Sequence, residues 1–359
     1  MQFPIYIVIG TRAQLIKTAP VMAELNKRNI PYTFIYTAQH TETIDEIRKN
    51  FKLKKPDIVV VEPKETKTIG LFGKWLIQAF WQLIVNRKKF IPKKGLIITH
   101  GDTTSCVWGA LLGKLTGCKV MHLESGLRSF NIFKPFPEEI NRLITFNLTD
   151  IYVCPNQWAL NNLKKYKGVK INTVENTQYD SVRLAIKVAA KSKLKVPKKY
   201  AVASIHRFEN VFNKKVLEKI IKLILLVAKD IPVVFILHPV TKKQLVKTGL
   251  IYKLKSNKNI VISNRLSFFE FITLIHKSEF VMTDGGSNQE ELSYMGKPTL
   301  ILRETTERKE GLGKNAILAG FDEDRVKRFI KEYKKYQQLE KRLDTSPSKI
   351  VVDWIEKQL

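Results

Sequence analysis

The sequence predicts an α/β protein built from two Rossmann-like domains. Three observations carry this reading. Short apolar runs rich in Ile, Val and Tyr alternate with stretches of helical spacing, the pattern of a parallel sheet covered by helices. The alternation comes in two series of similar length. Between them lies a Lys-rich segment with Pro197 and little apolar content. The expected division is a first domain over 1–186, a linker over 187–199 and a second domain over 200–359, whose last helix is expected to return to the first domain.

The first series places strands at 3–9, 32–37, 57–61, 96–99, 119–123 and 150–154. The second places them at AVASIH, PVVFILH, NIVIS, EFVMT and PTLIL, starting near Tyr200. In open sheets of this kind, ligands bind just beyond the carboxyl ends of the strands. Polar groups at strand ends are therefore the candidates for chemistry.

Four places qualify. Strand one runs into Gly10-Thr11-Arg12 and a helix over about 14–28 carrying Lys17, where a helix N-terminus and two cations suit an anion. The stretch His100–Arg142 carries Asp102 after one strand, Glu124 after the next, and Glu138 and Glu139 after Pro137 at a helix start. Two carboxylates near one crevice suit acid/base work, because neighbours and burial split their pKa values. As bland readings, Asp102 is a helix cap and the glutamates merely favour a helix N-terminus. In the second half, His206 and His238 end successive strands and would face a cleft between the domains. Thr283-Asp284-Gly285-Gly286-Ser287 then opens a helix bearing Glu291, an anion cradle or a plain glycine turn, and Arg303 and Arg308 follow.

Composition sets the bounds. The chain has 359 residues, 44% hydrophobic and 26% charged, with a formal net charge of +29. The excess is mostly dispersed lysine. It implies an anionic substrate, an anionic surface or simply a Lys-rich composition. No nucleic-acid-binding signature is present. The three cysteines, Cys106, Cys118 and Cys154, are widely spaced, against a disulfide framework or a zinc site. No spacing requires a metal, and no cofactor is expected. The start, MQFPIYIVIGTR, lacks a basic n-region and reads as a first strand. A cytoplasmic setting is the expectation. Segment 71–94 stands out: LFGKWLIQAFWQLIV has a narrow polar stripe of Lys74, Gln78 and Gln82, then Arg87-Lys88-Lys89 and Lys93-Lys94. Two readings stay open, a helix buried in its own domain or a dimer interface, or one laid on an anionic membrane at the inner face.

Taken together, GTRAQLIK (10–17), TAQH (37–40), HGDTT (100–104), HLESGLRS (122–129), PEEINR (137–142), HRFEN (206–210), HP (238–239), TDGGSNQEE (283–291), GKP (296–298) and RETTER (303–308) closely resemble the UDP-N-acetylglucosamine 2-epimerase family. The blocks span nearly the whole chain in family order. The resemblance implies a GT-B-like fold with the active site in the interdomain cleft. It implies conversion of UDP-GlcNAc to UDP-ManNAc by elimination and re-addition of UDP, for surface polysaccharide synthesis. By the same resemblance, Asp102, Glu124, Glu138 and His206 are the catalytic positions. Arg12, Lys17, His238, Gly285, Gly286, Ser287, Glu291 and Arg308 match UDP- or substrate-binding positions. A homodimer is suggested as well.

Departures keep alternatives in view. Arg12-Ala13-Gln14 replaces the family's Arg-Pro-Glu, and a Gln there is similar to relatives acting on UDP-diacetamido-sugar uronates. Gly285 stands where a serine is usual, with Ser287 nearby. Glu175-Asn176-Thr177 replaces Gly-Asn-Thr, and the allosteric segment is not recognisable around Pro63-Lys64-Glu65. A hydrolysing relative and a membrane-associated glycosyltransferase using a UDP-sugar are the competing readings.

Overall fold

A computed structural model describes residues 3–39, 44–62, 69–133, 136–189, 196–306 and 308–358. His40, the Pro63–Glu65 segment, residues 190–195 of the expected linker and Glu307 lie outside them. The chain clusters into two units, Met1–Ser181 with Asp344–Leu359, and Val182–Leu343.

In chain order the first unit runs β1 (Ile5–Ile9), α1 (Arg12–Lys27), β2 (Thr33–Tyr36), α2 (Asp45–Asn50), β3 (Ile58–Val59), α3 (Ile69–Phe90), β4 (Leu96–His100), α4 (Thr104–Thr116), β5 (Lys119–Leu123), α5 (Glu138–Leu148), β6 (Ile151–Cys154), α6 (Gln157–Asn162), β7 (Val169–Asn172) and the start of α7 (Gln178–Ala189). The second unit continues with β8 (Ala201–Ile205), α8 (Phe208–Val211), α9 (Lys214–Val227), β9 (Val233–Leu237), α10 (Pro239–Lys247), α11 (Leu250–Lys255), β10 (Ile260–Asn264), α12 (Phe268–Lys277), β11 (Val281–Thr283), α13 (Gly286–Tyr294), β12 (Thr299–Ile301), β13 (Ala316–Leu318) and α14 (Glu323–Glu332). The last helix, α15 (Pro347–Glu356), belongs to the first unit.

Both sheets are parallel throughout. Their orders are β3-β2-β1-β4-β5-β6-β7 and β10-β9-β8-β11-β12-β13. Each order reverses once, between β1 and β4 and between β8 and β11, and such reversal points are where doubly wound sheets open a crevice. Every residue of β1, β4, β8 and β9 is buried, as expected for strands covered on both faces. The strand expectations hold within a residue or two, except that β7 and β13 had no counterpart. Both are outer strands of three or four residues, and VKIN has no buried position, so neither offers a periodic apolar run.

The structure refines α3. Trp75, Ala79, Leu83 and Phe90 are buried, and Trp75 Nε1 donates to the Thr37 carbonyl at 2.8 Å. Trp108 Nε1 of α4 donates to the Ala79 carbonyl at 2.7 Å. One face thus packs in its own domain. The opposite face exposes Ile77, Trp81, Ile84 and Val85. The three cysteines are free thiols, all buried.

Candidate active site

In the first unit, β1, β4 and β5 deliver their ends to one place. The Gly10 turn is dictated by packing: a Cβ there would stand 1.8 Å from Ser105 Oγ and 2.3 Å from Thr37 Oγ1. Gln14 completes a capping box with Thr11, accepting from the Gly10 and Thr11 amides at 2.9 and 3.1 Å. Its Nε2 donates to the His100 carbonyl at 2.7 Å. The Gln at this position therefore ties β1 to β4, a local reason for the residue that the sequence reading lacked.

Lys17 reaches both oxygens of Glu124, at 2.8 and 2.7 Å. Both side chains are nearly buried, 11% and 8% exposed. Glu124 itself sits at φ +60°, a left-handed conformation that costs a non-glycine residue roughly 1–2 kcal/mol. Strain of this kind clusters at functional sites. His100 Nε2 lies 3.2 Å from Glu124 Oε2, off line for a hydrogen bond. Burial pulls this imidazole down to about 4, more than Glu124 can offset, so it is neutral.

His122, on β5, joins the two carboxylate loops. Its Nε2 is 2.7 Å from the Gly101 carbonyl, which accepts, so Nε2 carries the proton and Nδ1 accepts from Ser125 Oγ at 2.9 Å. Burial pulls it down to about 4 as well. Asp102 is held by Arg142, Nη2 to Oδ2 at 2.6 Å, and its carbonyl accepts from Asn141 Nδ2 at 2.9 Å. Arg142 also reaches Glu139 at 3.0 Å. Glu139 is fully buried and receives Arg128 and the Ser129 amide. Burial pushes that carboxyl up, but these donors outweigh it and hold it below the usual range. Glu139 is thus a framework residue. Its neighbour Glu138 opens α5 half-buried, with a buried Oε2 that has no hydrogen-bond partner among the described residues. Arg12 pairs with Glu46 at 3.0 Å. A cavity of about 320 Å³ lies elsewhere, at the amino ends of β4, β5 and β6 beside Trp354.

In the second unit, β8, β9 and β11 do the same. Asp284, fully buried, is the hub that the sequence reading passed over as part of a glycine turn. It accepts from the His206 amide at 2.9 Å, the Arg207 amide at 3.1 Å and Asn210 Nδ2 at 3.0 Å. The His206 ring stacks on His238 at 4.6 Å, with Nδ1 3.6 Å from Asp284 Oδ1. Burial lowers the His206 pKa against the raising effect of Asp284, which favours the neutral ring. Gly285 is required by that ring, since a Cβ would stand 2.6 Å from His206 Cε1. The Gly285 amide donates to Thr283 Oγ1 at 3.0 Å. Gly286 opens α13, Ser287 is exposed on its first turn and Glu291 is buried. Arg308 meets Glu290 at 3.1 Å, and Gln289 Nε2 binds the Arg308 and Glu310 carbonyls at 3.1 and 2.8 Å.

Two doubly wound domains with polar groups gathered at both reversal points define the GT-B-like class of α/β proteins. A family profile described as UDP-N-acetylglucosamine 2-epimerase matches residues 23–348. The UDP-N-acetylglucosamine 2-epimerase of Methanococcus maripaludis is 35% identical over 90% of this chain and 90% of its own. The crystal structure of the Neisseria meningitidis UDP-GlcNAc 2-epimerase bound to UDP-GlcNAc superposes with a TM-score of 0.82 at 27% identity, covering 99% and 100% of the two chains. That of the Methanocaldococcus jannaschii enzyme with UDP-GlcNAc and UDP gives 0.80 at 29% identity, covering 98% and 99%. The chain belongs to the UDP-N-acetylglucosamine 2-epimerase family.

Proposed function

We propose that this protein interconverts UDP-N-acetylglucosamine and UDP-N-acetylmannosamine in the cytoplasm, at the inner face of the membrane. The carrying observation is the pair of carboxylates at the ends of β4 and β5. Asp102 is held by Arg142 and Glu124 by Lys17, and His122 bridges their loops. Two carboxylates with different partners suit paired proton transfers at one carbon.

In the proposed reaction, a base takes the C2 proton, the C2–H electron pair forms the C1–C2 double bond, and the C1–O bond breaks to release UDP. The 2-acetamidoglucal and UDP stay bound. UDP then adds back to C1 while a proton is delivered to the other face of C2. Asp102, Glu124 and Glu138 are the proposed acid/base groups. His206, neutral and held against Gly285, is the proposed fourth catalytic group. Arg12, His238, Gly285, Gly286, Ser287, Glu291 and Arg308 are proposed to hold the nucleotide diphosphate sugar, where charge-assisted bonds stabilise the leaving diphosphate. Lys17, which holds both oxygens of Glu124, is proposed both to aim that carboxylate and to lend its charge to the nucleotide diphosphate.

The test is incubation with UDP-GlcNAc in heavy water, read by NMR. Deuterium at C2 and the appearance of UDP-ManNAc are expected. Release of UDP with free ManNAc would mark a hydrolysing enzyme instead, and no exchange and no product would end the proposal. Replacing Asp102, Glu124, Glu138 or His206 by its amide or Asn is expected to slow turnover by roughly 100-fold or more with UDP still bound.

A further inference from the structure

The cavity at the amino ends of β4, β5 and β6 takes no part in the reaction. Leu96, Lys119 and Ile151 line it, and each is the first residue of its strand. Asp102 and Glu124 follow the other ends of β4 and β5. Both strands are five residues long, so the two edges of the sheet stand about 17 Å apart. Sheets of this kind take their reactants at the carboxyl edge. The space at the amino edge is about 320 Å³, the size of a small-molecule site. Its walls are apolar. Leu96 and Ile151 come from the sheet, Phe3 from just before β1 and the indole of Trp354 from α15, all within the first unit.

Charge identifies what the walls suit. Lys94 and Lys119 line the cavity with their side chains exposed, and no acidic side chain lines it. The acids that border it in the chain are committed elsewhere. Asp150, just before Ile151, accepts from Lys114 at 2.9 and 3.0 Å and from the Val120 amide at 2.9 Å. Asp353 and Glu356, on either side of Trp354, pair with Arg28 at 2.6 and 2.7 Å. Gly117 makes room for Lys94: it ends α4 at φ +69°, and a Cβ there would stand 3.1 Å from Lys94 Cε. Two ammoniums thus stand beside an apolar hollow that brings no carboxylate of its own. A bare anion would leave the two rings wet, and a neutral hydrocarbon would leave the cations without a partner. An apolar body with one anionic head meets both needs, the body against Phe3 and Trp354 and the head between the lysines.

We propose that this cavity is a binding site for a small amphipathic monoanion, a carboxylate carried on a flat aromatic body. The proposal is independent of the reaction proposed above. The test titrates the full-length protein with 2-naphthoate, followed by ligand-detected NMR. Acetate and 2-naphthalenemethanol serve as controls that carry only the charge or only the body. A Kd of about 0.1–1 mM is expected for naphthoate, from the usual yield per ligand atom. Each control should bind about tenfold more weakly or worse. At ten times Kd, naphthoate should raise Tm by about 3–6 °C. It should also slow amide exchange in α15, the helix that carries Trp354, and saturating UDP should not displace it. Lys119→Glu alters an exposed side chain, so the variant should fold, which circular dichroism would verify, and its affinity should fall about tenfold. No binding at about 10 mM, equal binding of either control, displacement by UDP, or unchanged exchange in α15 overturns the proposal. So does full affinity in Lys119→Glu.

Discussion

The ion pair between Lys17 and Glu124 can be tested by removing one partner and then both. The pair is 89–92% shielded from water by side-chain exposure, and both carboxylate oxygens face the ammonium. Lys17→Met leaves a carboxylate in a site with little water and a backbone already at φ +60°. Breaking a buried pair in this way costs about 3–5 kcal/mol. For a unit of this size that lowers Tm by about 6–20 °C. Lys17→Met with Glu124→Gln removes both charges and should recover about 1–3 kcal/mol of the loss. As a contrast, Arg28 meets Asp353 and Glu356 where the acids are 40% and 55% exposed, so each of those contacts is worth about 1 kcal/mol or less. Thermal melts of the two single variants and the double complete the cycle. If Lys17→Met melts within a degree or two of the parent, or if the two single losses simply add, the two side chains are not coupled and the assignment of Lys17 to Glu124 fails.

Other outcomes follow from the same geometry. His100 and His122 are both pulled by burial from 6.5 to about 4. Between those values the unfolded chain binds protons that the folded one refuses, so stability is kept above pH 6.5 and lost as pH falls toward 4. Each imidazole contributes a slope approaching ~1.4 kcal/mol per pH unit. His122→Gln should remove about one proton's worth of that slope in melts taken across this range, and an unaltered slope would show that His122 is not the group responsible. Gly285→Ala pushes its new methyl against the His206 ring, and an ångström of displacement there should cost about 100-fold in kcat, as read by NMR turnover; full activity would remove the His206 ring position from the mechanism. Arg308→Ala should weaken UDP binding about 10-fold or more by calorimetry, the value of a charge-assisted bond; equal affinity would remove Arg308 from the diphosphate site.

The sequence made the strand ends legible because buried parallel strands are continuous apolar runs and their polar successors stand out. Asp102, Glu124 and His206 were visible for that reason. What could not be read was how those residues are held. Asp284 looks like part of a glycine turn until its three donors are brought in from the end of β8, 74 to 78 residues away in the chain. Arg142 looks like any helix residue until α5 lies over the end of β4. Glu138 and Glu139 are adjacent and identical in type, and only folding separates them, one fully buried among donors and the other with a carboxylate oxygen to spare. Likewise Lys17 reads as a free cation at a helix start, and its partner lies 107 residues on. For α3, composition left burial and surface lipid as rivals, and the structure shows one face in the core and the other in solvent.

The chain leaves its first unit at Ser181 and comes back to it at Asp344, where α15 lays its acids on Arg28 of α1. During synthesis the amino-terminal half must therefore wait, one helix short, while the whole carboxyl-terminal half is made. Clipping the last dozen or so residues would thus injure the half of the molecule that was translated first, the one that carries the carboxylates.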